Sequence, residues 1–229
     1  MNNIPLRTIR SFVKREGRLT TSQLNALDSQ WTKFGVDFSK QPININSLFK
    51  RNAETILEIG FGNGESLFQM AHENPHKNYF GIEVHRPGVG RLLNLAQNAN
   101  CQNIRVSNHD AVEVLEKQIE DNSIDRLQLF FPDPWHKQKH KKRRIVQDKF
   151  ITEVARVLKP EGVFHLATDW KDYARHMLRT LNNSELFINL SKDETFVPKP
   201  DERPTTKFEK RGHKLGHGVW DLLFQKTQS

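Results

Sequence analysis

Cysteine and long apolar runs are nearly absent from this 229-residue chain. Its single cysteine, Cys101, cannot form a disulfide within the chain, which excludes a disulfide-stapled fold and fits a reducing cytosol. No stretch approaches the roughly 18 apolar residues that a membrane-spanning helix needs, and the first residues lack the apolar core of a signal peptide. We therefore expect a cytoplasmic protein that does not bind membranes.

The chain is also poor in acidic relative to basic residues, with 27 Asp and Glu against 35 Lys and Arg, a formal net charge of +8. This balance favours a nucleic-acid partner, although charge alone does not identify one. Two H-x-x-x-H pairs occur, His136 with His140 and His213 with His217, but neither has a convincing cysteine or carboxylate partner nearby. We therefore expect no metal site.

Strands and helices are predicted to alternate from Glu54 onward, which is typical of an α/β fold with a mostly parallel sheet covered by helices on both faces. Residues 1–50 lack a sustained apolar period and carry scattered arginines, so we interpret them as a basic N-terminal arm, partly flexible, before a domain over residues 51–229. The seven predicted strands are Thr55 to Ile59, Tyr79 to Glu83, Asn103 to Asn108, Ser123 to Phe131, Val163 to Ala167, Phe187 to Leu190 and Gly218 to Phe224.

A glycine-rich turn follows the first predicted strand, in the order Glu58-x-Gly60-x-Gly62-x-Gly64. Backbone N–H groups at such a strand-to-helix turn face outward, and glycine allows a nucleotide to approach closely. The dinucleotide-binding pattern requires a third glycine where Glu65 stands. The acid two residues before Gly60 instead resembles motif I of class I S-adenosylmethionine-dependent methyltransferases, and it suits a ligand with an ammonium and a sulfonium group.

Two further acids follow the next two strands. Glu83 ends the second strand, where an acid can accept hydrogen bonds from both ribose hydroxyls, and Asp110 follows the third, where an acid can accept one from an adenine amino group. Each acid alone would more often be a surface carboxylate. Because ligands bind at the carboxyl edge of such sheets, three acids at successive strand ends predict a cofactor site there.

The fourth strand runs into Phe131-Pro-Asp-Pro-Trp135, which we call the acidic turn. Two prolines hold Asp133, and Trp135 offers a flat face to a ring or simply fills the core. Basic side chains follow over residues 137–144, the cationic strip, at Lys137, Lys139, Lys141, Lys142, Arg143 and Arg144. Such a run is usually a solvated surface. If all six cations contact phosphates, the log–log slope of RNA affinity against salt should be roughly −4 to −5.

Taken together with Ala167-Thr-Asp169-Trp and Thr206-Lys-Phe-Glu209, these motifs closely resemble the bacterial tRNA (guanine-N7-)-methyltransferases over nearly the whole chain. The resemblance implies a Rossmann-like methyltransferase fold, S-adenosylmethionine as cofactor, and methyl transfer to N7 of a guanine in the tRNA variable loop. It implies that Asp133 is catalytic. Lys139 stands where arginine is more usual in the family, a change that keeps the charge.

Carried over by position, the resemblance implies three further groups of contacts. Cofactor contacts are implied for Glu58, Gly60, Gly62, Gly64, Glu83, Asp110 and Asp133. Substrate contacts are implied for Lys137, Asp169, Thr206, Lys207, Phe208 and Glu209. RNA contacts are implied for Lys139, His140, Lys141, Lys142, Arg143 and Arg144.

Other interpretations remain open at this point. Amino methyltransferases carry an Asp/Asn-Pro-Pro-aromatic turn at the place of the acidic turn, so transfer to an exocyclic amine of RNA is the nearest enzymatic rival. A nonenzymatic RNA-binding subunit on the same scaffold is the rival from another class. Asp169 could equally be the N-cap of the following helix. Residues 206–218 could be only a flexible loop.

Overall fold

The computed structural model describes residues 11–12, 17–206, 209 and 218–228. Seven strands form one sheet in the order β3-β2-β1-β4-β5-β7-β6. They are β1 (Thr55–Ile59), β2 (Asn78–Ile82), β3 (Ile104–Ser107), β4 (Ile124–Phe130), β5 (Leu158–Thr168), β6 (Phe187–Asn189) and β7 (Trp220–Lys226). Within the described ranges, no helix is both long and apolar enough to cross a bilayer.

Strands β1 to β5 pair in parallel, and β7 runs antiparallel between β5 and β6. The predicted mostly parallel seven-stranded sheet is confirmed. Its strand order reverses between β1 and β4, because β2 and β3 lie on one side of β1 and β4 and β5 on the other. A crevice opens at such a reversal, outside the carboxyl ends of the two strands, and ligands bind there in open α/β sheets.

In the described ranges, seven α-helices cover both faces of the sheet. Side chains of β1 alternate between two apolar cores, since Leu57 and Ile59 belong to one and Ile56 to the other. Helices α2, α5, α6 and α7 pack on the first face, and α1, α3 and α4 on the second. They are α1 (Thr21–Phe34), α2 (Ile45–Phe49), α3 (Glu65–Glu73), α4 (Arg86–Asn98), α5 (Ala111–Gln118), α6 (Asp148–Val157) and α7 (Lys171–Asn182).

Helices α1 and α2 lie within the segment that we interpreted as an N-terminal arm. A capping box begins α1: the Thr20 hydroxyl accepts a hydrogen bond from the Gln23 backbone N–H at 3.2 Å, and the Gln23 side chain accepts one from Thr20 N–H at 2.9 Å. The helix then packs on α4, where a Cβ on Gly90 would lie 2.8 Å from the Gln23 carbonyl oxygen. From residue 17 onward the arm is therefore packed on the domain. The capping-box residues Thr20 and Gln23 are the feature of the sequence that could have predicted α1.

Cys101 is buried, and its thiol lies 3.0 Å from the Asn103 side-chain oxygen. Burial raises the pKa of the thiol, so it stays protonated at neutral pH and reacts slowly. The sulfur is a packing group of the second core.

Candidate active site at the carboxyl edge of the sheet

A cavity of about 380 Å³ lies at the crevice predicted by the strand order. Its walls come from the carboxyl ends of neighbouring strands, so residues far apart in the chain meet there. The residues that line it are Ser11, Phe12, Ile59, Gly60, Ile82, Glu83, Val84, His85, His109, Asp110, Ala111, Leu129, Phe130, Phe131, Pro132, Asp133 and Ile145. Gly60, Glu83, Asp110 and Asp133 were expected at one site, and the structure brings them to one cavity.

The glycine corner, Gly60 to Gly64, connects β1 to α3. All three glycines have positive φ, +74° at Gly60, +59° at Gly62 and +74° at Gly64, a conformation that L side chains rarely adopt. A Cβ added to Gly60 or Gly62 would meet no atom within 4 Å, so the backbone there faces open space that a ligand can enter. The corner therefore fits a nucleotide-like group held by backbone N–H groups.

Glu83 ties the glycine corner to the end of β2. One carboxylate oxygen accepts a hydrogen bond from Gly62 N–H at 2.8 Å, and the other accepts one from His85 N–H at 2.9 Å. Burial raises the pKa of Glu83, while these backbone N–H groups act in the opposite direction. Each oxygen has a second lone pair, so the carboxylate can still accept from a pair of hydroxyls in the cavity.

Glu58 does not line the cavity, and its carboxyl group lies buried behind the corner on β1. Burial and the neighbouring Glu83 charge raise its pKa to about 8. Its Oε2 atom has no hydrogen-bond partner among the described residues. A buried acceptor without a donor is unstable, and a bound ammonium or sulfonium would lower this pKa by attraction. The residues of the corner thus fit S-adenosylmethionine.

Glutamine at position 58 should make the ligand-free protein more stable. Between pH 4.5 and about 8 the folded chain holds a proton on Glu58 that the unfolded chain releases, so the free energy of unfolding falls as pH rises through this window. Glu58→Gln removes that loss, a gain of up to about 3 kcal/mol at pH 7. The amide of the new glutamine can donate to Gln128, the cross-strand partner of residue 58. The Oε1 atom of Gln128 also lacks a hydrogen-bond partner within the described part of the chain.

Chemical denaturation at pH 5, 7 and 8.5 measures this effect. The matched control is Glu185→Gln at an exposed glutamate, which should keep the wild-type pH dependence. An unchanged pH dependence in Glu58→Gln would contradict the raised pKa.

Asp110 lies at the far end of the same edge. Its side chain caps α5 by accepting a hydrogen bond from Val112 N–H at 3.1 Å, and it also lines the cavity. The cap fixes the direction of the carboxylate at the cavity wall. The prediction of an acid after β3 at this edge therefore agrees with the structure.

The acidic turn is held in a strained conformation. Phe131 and Trp135, at its two ends, have positive φ of 51° and 46°, which is rare for bulky residues and costs of order 1–3 kcal/mol each. Phe131 N–H donates to the Ala167 carbonyl at 2.8 Å, anchoring the turn to β5. Asp133 is exposed, and its side chain is offered at the cavity wall.

Trp135 contacts neither the cavity nor the core. The Arg143 guanidinium lies 3.9 Å from its ring centroid, and His140 stacks on it at 5.9 Å. Its indole N–H donates to the Ser11 carbonyl at 3.0 Å, and Arg143 donates to the Phe12 carbonyl at 3.1 Å. Trp135 therefore joins the cationic strip to residues 11 and 12, which cover the cavity and which the sequence did not indicate.

Some cations of the cationic strip are bonded within the protein, although the sequence predicted that all six could contact RNA. Arg144 is buried, donates to the Pro134 carbonyl at 2.9 Å and pairs with Asp172. Lys141 also pairs with Asp172, at 2.9 Å. Arg144 is thus a support of the acidic turn, and a phosphate contact would require it to leave that position. Lys137, Lys139 and Lys142 are exposed.

The other expected substrate residues that the structure describes do not line the cavity. Asp169 is half-buried at the carboxyl end of β5, and the alternative that it caps α7 is wrong, because the N-cap is Trp170 and no side chain caps it. Thr206 is half-buried, and Glu209 is buried against Arg203. Lys207 and Phe208 lie outside the described residues.

No group of three or more potential metal ligands occurs in the part of the chain that the structure describes. His136 packs edge-on against Trp170 with ring centroids 4.0 Å apart. His213 and His217 fall outside that part.

Solved structures with the same fold include a 16S rRNA methyltransferase, KamB, with a TM-score of 0.60 at 13% identity, covering 80% of this chain and 92% of that one. The [4+2]-cyclase SpnF also matches, with a TM-score of 0.54 at 16% identity over 92% of this chain and 98% of that one. One of these proteins is named for a methyl transfer and the other for a cyclisation. At such identities the likeness shows the Rossmann-like fold alone.

Sequence relatives are far more similar. A tRNA (guanine-N(7)-)-methyltransferase of Shewanella sp. (strain MR-4) is 58% identical over 221 residues, 96% of this chain and 93% of that protein. One of Serratia proteamaculans (strain 568) is 56% identical over 227 residues, 99% of this chain and 95% of that protein. The family model described as "Putative methyltransferase" matches residues 52–222. The chain therefore belongs to the tRNA (guanine-N(7)-)-methyltransferase family, as its motifs predicted.

Proposed function

We propose that this enzyme transfers the methyl group of S-adenosylmethionine to N7 of an unpaired guanine in the variable loop of tRNA, giving 7-methylguanosine. The observation that carries the proposal is that Gly60, the first residue of the glycine corner, and Asp133 line the same cavity. A donor held by the corner and a base resting on Asp133 would meet inside it. The relatives of Shewanella and Serratia are named for guanine-N7 methylation of tRNA.

The carboxylates of this edge give each part of the donor a partner. S-adenosylmethionine supplies a methyl group on a sulfonium, and a nucleophile that bonds to this methyl displaces S-adenosylhomocysteine as a neutral thioether. Glu83 would accept from the ribose hydroxyls and Asp110 from the adenine amino group. Glu58, buried behind the corner, would ionise when a positive charge enters the cavity.

Transfer to N7 needs no general base, because this nitrogen carries a free lone pair at neutral pH. Catalysis is then mostly in-line positioning, which supplies on the order of 7–11 kcal/mol. The guanine gains positive charge as it is methylated. Asp133 can stabilise that charge or hold the N1–H and amino edge of the guanine. Asp133→Asn removes the charge and turns one of the two acceptor atoms into a donor, so it tests whether the carboxylate itself is needed.

The base must be accessible to this cavity. The major groove of an A-form helix, where N7 lies, is too narrow for side chains to enter. A guanine in a loop can be unstacked and can present N7 to the acidic turn. This favours the variable loop over a stem as the site of methylation.

The proposal is tested by incubating the purified protein with radiolabelled S-adenosylmethionine and an unmodified tRNA transcript. Borohydride reduction and aniline treatment cut RNA at 7-methylguanosine, and we expect one cut, in the variable loop. A transcript with adenine in place of that guanine should give none. Incorporation of the labelled methyl group without an aniline cut would favour methylation of an exocyclic amine. Binding of tRNA without incorporation of label would favour a nonenzymatic RNA-binding protein.

The exposed part of the cationic strip should set part of the salt dependence of tRNA binding. Replacing Lys137, Lys139 and Lys142 together by glutamine should reduce the log–log slope by roughly 2 to 3, because each phosphate contact contributes roughly 0.7 to 0.9. A reduction of the slope by roughly 4 to 5 would require phosphate contacts from the buried and paired cations as well. The measurement is filter binding between 50 and 200 mM salt.

A charge-matched control replaces three exposed lysines outside the strip, Lys40, Lys117 and Lys192, by glutamine. It should change the slope less than the strip variant does. Equal slopes in the two variants would show that the strip is only a solvated surface.

A further inference from the structure

A buried ionic cluster lies behind the cavity, built from His165, Arg203, Glu209 and Asp221, each at most 3% exposed. The Arg203 guanidinium makes two hydrogen bonds to each carboxylate, at 2.7 and 3.1 Å to Glu209 and at 2.6 and 2.9 Å to Asp221. His165 Nε2 lies 2.9 Å from the same Asp221 oxygen that accepts from Arg203 Nε. The four hydrogen bonds fix the orientation of the fully buried Arg203 side chain. Charges are rarely buried without this degree of pairing.

The protonation states of the cluster agree with this geometry. Burial opposes ionisation of Glu209 and Asp221, but their bonds to Arg203, and to His165 in the case of Asp221, outweigh it and hold the pKa of both below the usual range. Burial lowers the pKa of His165. Arg203 is thus the positive charge that keeps two buried carboxylates ionised.

Glu209 also joins Arg203 to Thr206. Glu209 N–H donates to the Thr206 hydroxyl at 3.1 Å, and Thr206 N–H donates to the Glu209 carboxylate at 3.4 Å, the reciprocal pattern of a capping box. Both carboxylate oxygens of Glu209 are bonded to Arg203 and point inward. Glu209 therefore anchors Thr206, which is the more exposed of the two.

The guanidinium also lies against two aromatic residues of the cavity wall. It lies 5.9 Å from the Phe130 ring centroid and 5.7 Å from that of Phe131, within the range of a cation–π contact. Phe130 and Phe131 line the cavity, and Phe131 begins the acidic turn. One side chain therefore touches both Glu209, which is bonded to Thr206, and the base of the turn that carries Asp133.

We propose that Arg203 is a positioning residue: through Glu209 it holds Thr206 at a fixed distance from the acidic turn, so that the guanine meets both together. The inference rests on the proposed function, because it takes Thr206 as a contact of the guanine. It changes the role that the family resemblance implied for Glu209, from a ligand of the substrate to the anchor of one. A lysine at 203 keeps the charge but cannot form the four hydrogen bonds.

The test compares Arg203→Lys with the wild type. We expect the KM for tRNA to rise about tenfold or more, a smaller change in kcat, and binding of S-adenosylhomocysteine by calorimetry within about threefold of wild type. The matched control is Arg126→Lys, whose single hydrogen bond to the exposed Glu202 lies at 3.1 Å, and it should leave all three constants unchanged. A variant that unfolds, or one that loses the nucleotide as well, would show that Arg203 only stabilises the fold and would overturn the proposal.

Two further measurements complete the design. If Arg203 acts through Glu209, Arg203→Lys combined with Glu209→Gln should raise the KM for tRNA no more than the worse single variant; additive effects would contradict this. Hydrogen exchange of a peptide spanning residues 204–210, measured without tRNA, should be at least tenfold faster in Arg203→Lys. If the wild-type protein methylates no tRNA, the proposed function fails, whereas unchanged exchange in the variant rejects the anchoring by Arg203 itself.

Discussion

Alanine at position 133 should lower the rate of tRNA methylation by about 10² to 10³-fold, the loss expected when one preorganised electrostatic group is removed from a transition state. Asp133 stands at the cavity wall on a turn whose backbone is fixed by two prolines. Because Asp133 is exposed, its truncation leaves no cavity in the core and should not lower the unfolding temperature.

Single-turnover methylation with labelled donor measures this loss of rate without a contribution from product release. Asp193→Ala, at another exposed aspartate, is the matched control and should keep the wild-type rate. Asp133→Asn then tests the carboxylate: a rate as low as that of Asp133→Ala means that its charge or its second acceptor oxygen is needed, and a rate near wild type means that one acceptor is sufficient. Near-normal turnover in Asp133→Ala would remove Asp133 from the catalytic site.

The acids of the cofactor edge could be predicted because parallel strands impose a simple geometry. When strands alternate with helices, every strand ends at the same edge, so Glu83 and Asp110 had to lie near the glycine corner. The prolines of the acidic turn similarly placed Asp133 directly after β4. These inferences needed only the order of elements along the chain.

Features that depend on packing between distant segments were not predictable in this way. The run of cations gave no sign that Arg144 is buried, since its partner Asp172 lies 28 positions away. Arg203 pairs with Asp221 across 18 positions, and no local pattern marks either residue. Nor does the identity of Asp169 show that Trp170 takes the N-cap position. In each case the decisive neighbour comes from another element.

Alanine at position 88 should strongly weaken donor binding, because the added methyl group would collide with the glycine corner. Gly88 lies in the first turn of α4, and a Cβ there would lie 1.9 Å from the Gly62 carbonyl oxygen, so the glycine corner would have to move. Alanine is otherwise favoured over glycine in a helix by roughly 0.5–1 kcal/mol. We therefore expect a fall in S-adenosylmethionine affinity of about 100-fold or more, because a corner displaced by an ångström loses its N–H geometry.

Gly90→Ala is the matched control, because it places the same methyl group two residues further along the same helix. There a Cβ would lie 2.8 Å from the Gln23 carbonyl oxygen of α1, away from the corner. This variant should lose stability, since α1 must shift on α4, while its donor affinity stays within a few-fold of wild type. Calorimetric titration with S-adenosylhomocysteine and thermal unfolding of both variants separate the two effects. Equal losses of affinity in the two would mean that α4 acts on the site as a whole, and that the contact of Gly88 with the corner has no special part in holding the donor.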